Sequence, residues 1–291
     1  MNNYNPWVCF LYFLAVISFS MFYMHPICLG MSFLASFFYA ALLGGRKTLV
    51  FFLRVLLPFV LAASIVNPLI NHEGEHILAY FADGNPLTLE SVIYGFAASI
   101  MMCAVICHFT CFNKIMTSDK LMYIAGGFIP SLSLVFSMTL RFVPEFSRRL
   151  RKLGETGTAM GFKNGKSLVK GIKRGIRTLS AMISWSLENA IETADSMKSR
   201  GFGTGKRTSF SNMIFTRRDA VALAVILVLS AVVLSGGISG HTGFYYFPSV
   251  KSVCITKDSA VFFAAYFLLL NLPVFAEVKE RFFWIKLKSK I

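Results

Sequence analysis

Two basic, helix-patterned stretches decide how this chain is organised. The first is Leu140–Phe162, LRFVPEFSRRLRKLGETGTAMGF, and the second is Ser186–Arg207, SLENAIETADSMKSRGFGTGKR. Apart from Leu140, both fall within residues 141–218, which we call the basic arm. This arm has 17 of the 29 Lys and Arg residues but only 5 of the 14 Asp and Glu residues, and so +12 of the formal net charge of +15. Nearly all of the sequence on either side of it is apolar.

The composition indicates a polytopic membrane protein. Of the 291 residues, 55% are hydrophobic and only 15% are charged, and the mean hydropathy is +0.62. A net charge of +15 on a soluble protein would suggest nucleic acid, but here the charge flanks long apolar runs. The positive-inside rule explains that pattern, so we expect no nucleic-acid partner. The six cysteines lie mostly inside apolar runs and are interpreted as small buried side chains, not as a disulfide framework.

Six apolar segments approach the length that a hydrocarbon core of about 30 Å requires. The first lacks a basic n-region and is interpreted as a membrane helix, not as a cleaved signal. Arg46 and Lys47 place the loop after the second segment in the cytoplasm, which predicts a cytoplasmic N-terminus and C-terminus. The six segments are Trp7–Met24, Ile27–Leu43, Leu49–Val66, Ser91–Phe112, Asp219–Gly237 and Ser259–Phe275.

A seventh uncharged run, Leu121–Leu140, is harder to place. If it crossed the membrane, the basic arm would lie on the side opposite Arg46 and Lys47. Gly126, Gly127 and Pro130 also interrupt the run, so we interpret it as a bent, partly submerged segment that leads into the arm.

The arm itself predicts two long amphipathic helices, roughly Pro130–Gly161 and Leu168–Gly201. Pro130 suits a first helical turn, Pro144 is expected to kink the first helix, and Arg141 begins the arm's run of charge. In the second helix an apolar side chain recurs every three or four residues, which builds one apolar stripe. The stripe is Leu168, Ile172, Ile176, Leu179, Ile183, Leu187, Ile191, Ala194 and Met197.

The charges of the second helix oppose its dipole. Basic residues crowd its first turns, whereas Glu188, Glu192 and Asp195 lie near its C-terminal end. This order suggests two partners, anionic lipid headgroups near the start and a protein surface near the end. A solvated face with incidental charge order is the alternative.

The end of the second helix offers two interpretations of Ser199-Arg200-Gly201. Glycine after the last turn is an ordinary helix cap, and an arginine there suits the dipole. Alternatively, Arg200 projects from the tip as a bidentate donor to a partner's carboxylate, and Gly201 lets the partner's backbone approach. A similar ending occurs forty residues earlier, at Ala159-Met160-Gly161.

With these tips the chain resembles the transmembrane T component of energy-coupling factor (ECF) transporters, which are ABC-type importers of vitamins and transition-metal ions. The resemblance covers most of the chain and is densest over NPLINHEG, NPLTLESVIYGF, MTSDKLMYIAGGFIPSLSLVFSMTLRFVPEF and SLENAIETADSMKSRGFG. That family has two Ala-Arg-Gly-like boxes, one at the end of each coupling helix. The second box corresponds to Ser199-Arg200-Gly201. The first corresponds to Ala159-Met160-Gly161, where Met160 replaces the arginine.

The resemblance implies that the two boxes dock on two cytoplasmic ABC ATPase subunits. It also implies that the membrane region holds a separate substrate-binding S component. The chain would then transmit ATP-driven motion from the ATPases to the S component without catalysing a reaction or binding a cofactor.

Three other motifs compete with this assignment. His72-Glu73-Gly74-Glu75-His76 satisfies H-E-x-x-H, but zinc-protease chemistry needs both histidines on one rigid helix and a third ligand. The segment 161–167, GFKNGKS, has one residue too few between its glycines for a phosphate-binding loop. Cys103, Cys107, Cys111 and His108 share the fourth apolar segment, where helix packing explains them better than a metal path does.

We therefore predict an all-α polytopic membrane protein with about six spans and two long coupling helices. Its predicted regions are 1–120 with four spans, 121–218 with the coupling helices, and 219–291 with two spans. The rival functions are an intramembrane zinc metalloprotease that uses the HEGEH pentad and a membrane scaffold that is not coupled to nucleotide.

Overall fold

The computed structural model describes residues 4–80, 85–128, 130–160, 168–205, 213–240, 242–249, 251–252 and 257–288. Most of these residues are helical, which confirms the predicted all-α class. The chain divides into two compact units. One comprises Met1–Leu121 together with Met213–Ile291, and the other comprises Met122–Asn212.

The larger unit is a bundle of apolar helices. Its elements before the smaller unit are α1 Pro6–Phe22, α2 Pro26–Gly44, α3 Arg46–Phe51, a π-helical turn Phe52–Leu56, α4 Leu57–Ile70, β1 Ile77–Tyr80, β2 Pro86–Thr88, α5 Leu89–Ile115 and the first residues of α6, which is Ser118–Phe128. After the smaller unit come α9 Arg217–Ile238, β3 Phe244–Tyr245, β4 Lys251–Ser252 and α10 Lys257–Lys288. Helices α2 and α4 both pack on α5, α10 packs on α2 and α9, and α1 contacts α5 and α9. Two short antiparallel hairpins, β1 with β2 and β3 with β4, accompany the helices.

The smaller unit consists of the rest of α6 and two long helices, α7 Pro130–Ala159 and α8 Leu168–Ser199. Both long helices occupy the predicted ranges, and each is described from a residue that directly follows undescribed ones, Pro130 for α7 and Leu168 for α8. Among the described residues, α7 ends two positions before the predicted Gly161, which lies outside them, and α8 ends two positions before Gly201.

Five helices of the described chain are long and apolar enough to cross a membrane, and they coincide with five of the six predicted spans. They are Pro26–Gly44, Arg46–Ile70, Leu89–Ile115, Arg217–Ile238 and Ser259–Lys279. The predicted first span corresponds to α1, an apolar helix of 17 residues. At 1.5 Å per residue, α1 is about 26 Å long, slightly short of a hydrocarbon core.

The uncharged run Leu121–Leu140 is shared between two helices. Helix α6 is described to Phe128 and α7 from Pro130, and residue 129 lies outside the described residues. Gly126 and Gly127 do not interrupt the backbone as expected, because α6 continues through both.

Buried polar side chains link the helices of the larger unit. The Ser20 hydroxyl lies 2.7 Å from that of Ser32 and 3.4 Å from that of Tyr266, and Ser32 Oγ lies 3.4 Å from His108 Nε2. These four residues come from α1, α2, α5 and α10, so one polar chain joins four helices. Each polar group gains a partner, which offsets the cost of burying it in an apolar bundle.

A second polar cluster fixes the place where the chain enters α9. Thr216 and Asp219 form a capping box, with the Thr216 backbone N–H donating to Asp219 Oδ2 at 3.0 Å. The other carboxylate oxygen, Asp219 Oδ1, accepts the Asn5 backbone N–H at 3.0 Å. Asn5 also caps α1, because its side chain accepts the Trp7 N–H. One buried carboxylate therefore joins the starts of two helices.

Candidate functional site

The tip of α8 is a complete Schellman motif. The Phe202 N–H donates to the Met197 carbonyl at 3.0 Å, and the Gly201 N–H donates to the Lys198 carbonyl at 3.0 Å. These are the two hydrogen bonds that define the motif, and they place Gly201 at the position that adopts left-handed backbone. Its φ is +79°, a conformation that favours glycine. Helix capping is therefore sufficient to explain Gly201.

The hydrogen bonds of the cap do not use the Arg200 guanidinium. The residue is exposed, and its backbone N–H completes the last turn by donating to the Ser196 carbonyl at 3.3 Å. The neighbouring Ser199 hydroxyl donates to the same carbonyl at 2.9 Å. Within the described ranges, the Arg200 guanidinium has neither an ion pair nor a hydrogen bond. The cap thus holds the backbone fixed while the guanidinium projects into solvent.

Helix α8 also exposes most of its predicted apolar stripe. Each of six side chains, which we call the α8 apolar row, is more than half exposed, with values from 52% to 65%. Burying one such side chain contributes about 1.5–3 kcal/mol, so six of them form a strong contact surface for an apolar partner. The α8 apolar row is Ile172, Ile176, Leu179, Ile183, Leu187 and Ile191.

The acidic residues of α8 lie on a different face from this row. Glu188, Glu192 and Asp195 are all exposed, and their spacing of four and three residues places them together. Glu188 directly follows Leu187, and Glu192 directly follows Ile191. Each glutamate therefore lies about 100° around the helix from a member of the α8 apolar row. The helix therefore presents an apolar face and an acidic face side by side.

The tip of α7 differs chemically from that of α8. Ala159 is the last residue of α7, and the Met160 N–H donates to the Thr156 carbonyl at 2.9 Å. Met160 is 71% exposed, so its flexible thioether is available to an apolar groove. Gly161 lies outside the described residues.

An aromatic contact joins α7 to α8. The rings of Phe146 and Trp185 meet edge to face with centroids 5.6 Å apart, and the Arg149 guanidinium lies 4.1 Å from the centroid of the Trp185 ring. Edge-to-face pairs and cation–π contacts each add about 0.5–1.5 kcal/mol to the packing. The sequence pattern did not single out these three residues, although a tryptophan within a basic amphipathic helix was an available signal.

Six residues were expected to support the coupling helices. Pro130, Arg141 and Pro144 belong to α7, and Glu188, Glu192 and Asp195 belong to α8. Pro130 is the first described residue of α7, and Arg141 is exposed on its surface. Pro144 lies inside the helix, which continues through it, and the Pro144 carbonyl accepts a hydrogen bond from Arg148 Nε at 3.4 Å. The kink expected at Pro144 stays a prediction.

The HEGEH pentad lacks the geometry of a zinc protease. It occupies irregular backbone between α4 and β1, not one helix, and φ at Gly74 is +143°. The buried Glu90 carboxylate accepts the His76 backbone N–H at 3.3 Å, and Thr88 Oγ1 donates to the Glu73 carbonyl at 2.7 Å. Within the described part of the chain, no three His, Cys, Asp or Glu side chains are grouped to hold a metal ion.

The cysteines of α5 are buried in helix contacts. Cys103 and Cys107 form an apolar cluster with Leu56, and Cys111 is fully buried as a free thiol. His108 belongs to the polar chain with Ser32. The segment 161–167, which resembles a phosphate-binding loop, lies outside the described residues.

Comparison with known proteins identifies the class. The family model described as cobalt transport protein (CbiQ) matches residues 1–211, and the chain belongs to this family. It is 33% identical over 107 residues to the energy-coupling factor transporter transmembrane protein EcfT of Bacillus selenitireducens, covering 36% of this chain and 40% of that protein. With EcfT of Lactobacillus helveticus the identity is 30% over 109 residues, covering 36% and 39%.

An uncharacterized protein of Mycoplasma pneumoniae, the MG181 homolog, is 29% identical over 176 residues, covering 54% of this chain and 39% of that protein. The chain thus spans about two fifths of the length of these curated relatives. The resemblance to ECF transmembrane components is confirmed, and the chain is an EcfT/CbiQ-like multi-pass membrane protein.

Proposed function

We propose that this chain is the energy-coupling subunit of an ECF-type ABC importer. Two cytoplasmic ABC ATPase subunits bind the tips of α7 and α8, and a membrane S component binds the vitamin or metal ion. The chain transmits the ATP-driven motion of the ATPases to the S component and catalyses no reaction. Regions 1–120 and 219–291 anchor it in the membrane, and region 121–218 does the coupling.

One observation carries this proposal: α8 exposes two unlike contact surfaces, the α8 apolar row along its length and Arg200 at its tip. A long exposed apolar face usually marks an interaction site. The S component is the partner whose apolar surface suits that row. A single rigid helix then connects the S component to an ATPase, and movement of the tip moves the row.

The chemistry of Arg200 suits the ATPase contact. A guanidinium forms two parallel hydrogen bonds with a carboxylate, which fixes orientation as well as affinity. Because the Schellman motif fixes the preceding backbone, little conformational freedom is lost on docking.

The charge distribution supports a cytoplasmic arm. Residues 141–218 hold +12 of the net +15, and α3 begins with Arg46 and Lys47 shortly after the end of α2. Positive charge near membrane helices is retained in the cytoplasm, which favours cytoplasmic coupling helices and termini. The same charge attracts anionic lipids, which complete the proposed partners.

The test is ATPase association and substrate uptake after Arg200→Ala. Removing one partner of a charged hydrogen-bonded pair costs about 1.5–3 kcal/mol, so ATPase association should weaken about ten- to hundredfold. Lys198→Ala is the matched control, since Lys198 is an exposed cation of the same last turn and should leave association unchanged.

Met160→Ala should cost less than Arg200→Ala, because it removes apolar contact and leaves no charge unpaired. Equal losses would mean that the two tips are equivalent despite the methionine. Survival of both uptake and ATPase association in Arg200→Ala would overturn the coupling assignment.

A further inference from the structure

Helix α7 has an open, basic groove on one side, which we call the α7 groove. Its volume is about 490 Å³, and its lining includes four cations and one carboxylate. The lining residues lie on one face of the helix, because they follow the first of them at four, seven, eight, eleven, twelve and fifteen positions. The lining residues are Arg141, Glu145, Arg148, Arg149, Lys152, Leu153 and Thr156.

The cations of the α7 groove have no acidic partner among the described residues. Within the described ranges, no carboxylate pairs with Arg141, Arg148 or Lys152. Glu145 is the one acid of the groove, which leaves a formal charge of +3 concentrated on four turns of helix. By contrast Arg151, on another side of α7, lies 3.8 Å from Glu155. In the described part of the chain, the groove thus presents several cations that lack an ion pair, and one anionic partner could bind them together.

The position of the groove points to a membrane surface. Arg141 follows directly on the uncharged run Leu121–Leu140, so the groove begins where the apolar sequence ends. Phe146 and Trp185 lie beside it, with Arg149 stacked on the Trp185 ring. Tryptophan and basic side chains at the end of an apolar segment are typical of the headgroup layer.

The opposite face of α7 fits the same placement. Phe136, Val143 and Leu150 are exposed and recur every seven residues. Arg141 lies two positions before Val143, and Arg148 lies two positions before Leu150. Two positions correspond to about 200° around the helix, so the arginines lie nearly opposite the apolar side chains. An exposed apolar face opposite a basic face is the pattern of a helix lying in the membrane interface.

We propose that the α7 groove binds the phosphate of an anionic phospholipid headgroup, with Arg141, Arg148 and Lys152 as its ligands. Guanidinium and ammonium donors are suited to phosphate oxygens, and each cation at an anionic surface favours binding about fivefold. This inference rests on the lipid contact of the proposed function and assigns it to a site. A lipid held there would fix the height of α7 relative to the headgroup layer.

The experiment uses the full chain with Trp7→Phe and Trp284→Phe, which leaves Trp185 as the one tryptophan. Quenching of its fluorescence by brominated phosphatidylglycerol and by brominated phosphatidylcholine is compared in mixed micelles. We expect phosphatidylglycerol to bind more tightly, and Arg148→Gln to reduce that preference about fivefold. Arg151→Gln, which removes one cation outside the groove, is the control and should leave the preference unchanged.

Equal quenching by the two lipids would overturn the proposal. An equal loss of the phosphatidylglycerol preference in Arg148→Gln and Arg151→Gln would also overturn it, because it would indicate general charge attraction. If Arg148→Gln kept the lipid preference but weakened ATPase co-purification, the groove would face an acidic protein surface instead. Arg200→Ala separates this inference from the coupling function, because it should weaken ATPase association and leave the phosphatidylglycerol preference intact.

Discussion

Substitution of Gly201 distinguishes its two proposed roles at the tip of α8, which are to cap the helix and to let the backbone of a partner approach closely. With φ at +79°, any side chain there is strained, although an added Cβ would meet only Thr204 Oγ1 at an ordinary 3.4 Å. The cost of Gly201→Ala is therefore almost wholly that of left-handed backbone, about 1–2 kcal/mol. Asparagine adopts this conformation more readily, so Gly201→Asn should cost less than Gly201→Ala.

The two substitutions differ in what they predict for ATPase association. If Gly201 serves the Schellman motif, Gly201→Ala frays the last turn, displaces Arg200 and weakens association up to about thirtyfold. Gly201→Asn should then recover most of the loss. If the partner's backbone must approach Gly201 closely, the larger asparagine should be worse than alanine.

Hydrogen exchange at the α8 C-terminus, measured beside ATPase co-purification, checks the cause. We expect faster exchange in Gly201→Ala than in Gly201→Asn, with association falling in the same order. Gly205→Ala is the control, because an added Cβ at Gly205 meets nothing within 4 Å. Association that is lost more in Gly201→Asn than in Gly201→Ala, with the last turn intact, would refute the capping argument.

Two further predictions concern the larger unit. Asp219→Ala removes part of the cap of α9 and leaves the buried Asn5 N–H without its acceptor, so thermal or denaturant unfolding should show a loss of about 2–4 kcal/mol in the free energy of unfolding. The control is Asp119→Ala, at an exposed position in the first turn of α6, which should cost under about 1 kcal/mol. Similar losses in the two variants would contradict the role of burial. His25 Nδ1 accepts the Ile27 N–H as the cap of α2, and burial lowers the pKa of His25 below its ordinary value of about 6.5. Because the unfolded chain binds a proton at His25 more readily than the folded chain does, the contribution of His25 to stability is fully present above about pH 6.5 and declines as the pH falls below it. His25→Asn should flatten that decline when thermal stability is measured against pH. An unchanged slope of stability against pH would contradict this prediction.

Local patterns in the sequence account for the elements of the arm. The spacing of three and four residues from Leu168 to Met197 predicts a single helix, and α8 ends two residues before the glycine that caps it. These signals act over a few residues, so one sequence is sufficient to detect them.

Contacts between distant residues have no such local signal. The hydrogen bond from Asn5 to Asp219 spans 214 positions, and the Tyr266–Ser20–Ser32–His108 chain needs four helices to meet. Periodicity shows which side chains share the face of α8, but not whether another element covers them. The exposure of the α8 apolar row is therefore visible only in the fold, and it is what turns an amphipathic helix into a candidate contact surface.

The difference between the two tips bears on the partners themselves. If both tips met the same ATPase groove, the carboxylate that pairs with Arg200 at one tip would be left unpaired opposite Met160 at the other, at a cost of about 1–3 kcal/mol. The exposed thioether of Met160 suits an apolar groove instead, so we expect the two ATPase contacts to be chemically different.

Met160→Arg tests that expectation. Placing a guanidinium in an apolar groove leaves a desolvated charge without a partner, so ATPase association should weaken at least tenfold, whereas Met160→Leu should change it little. Stronger association in Met160→Arg would show that the ATPase surface opposite the α7 tip carries a carboxylate, and that both tips meet the same kind of groove.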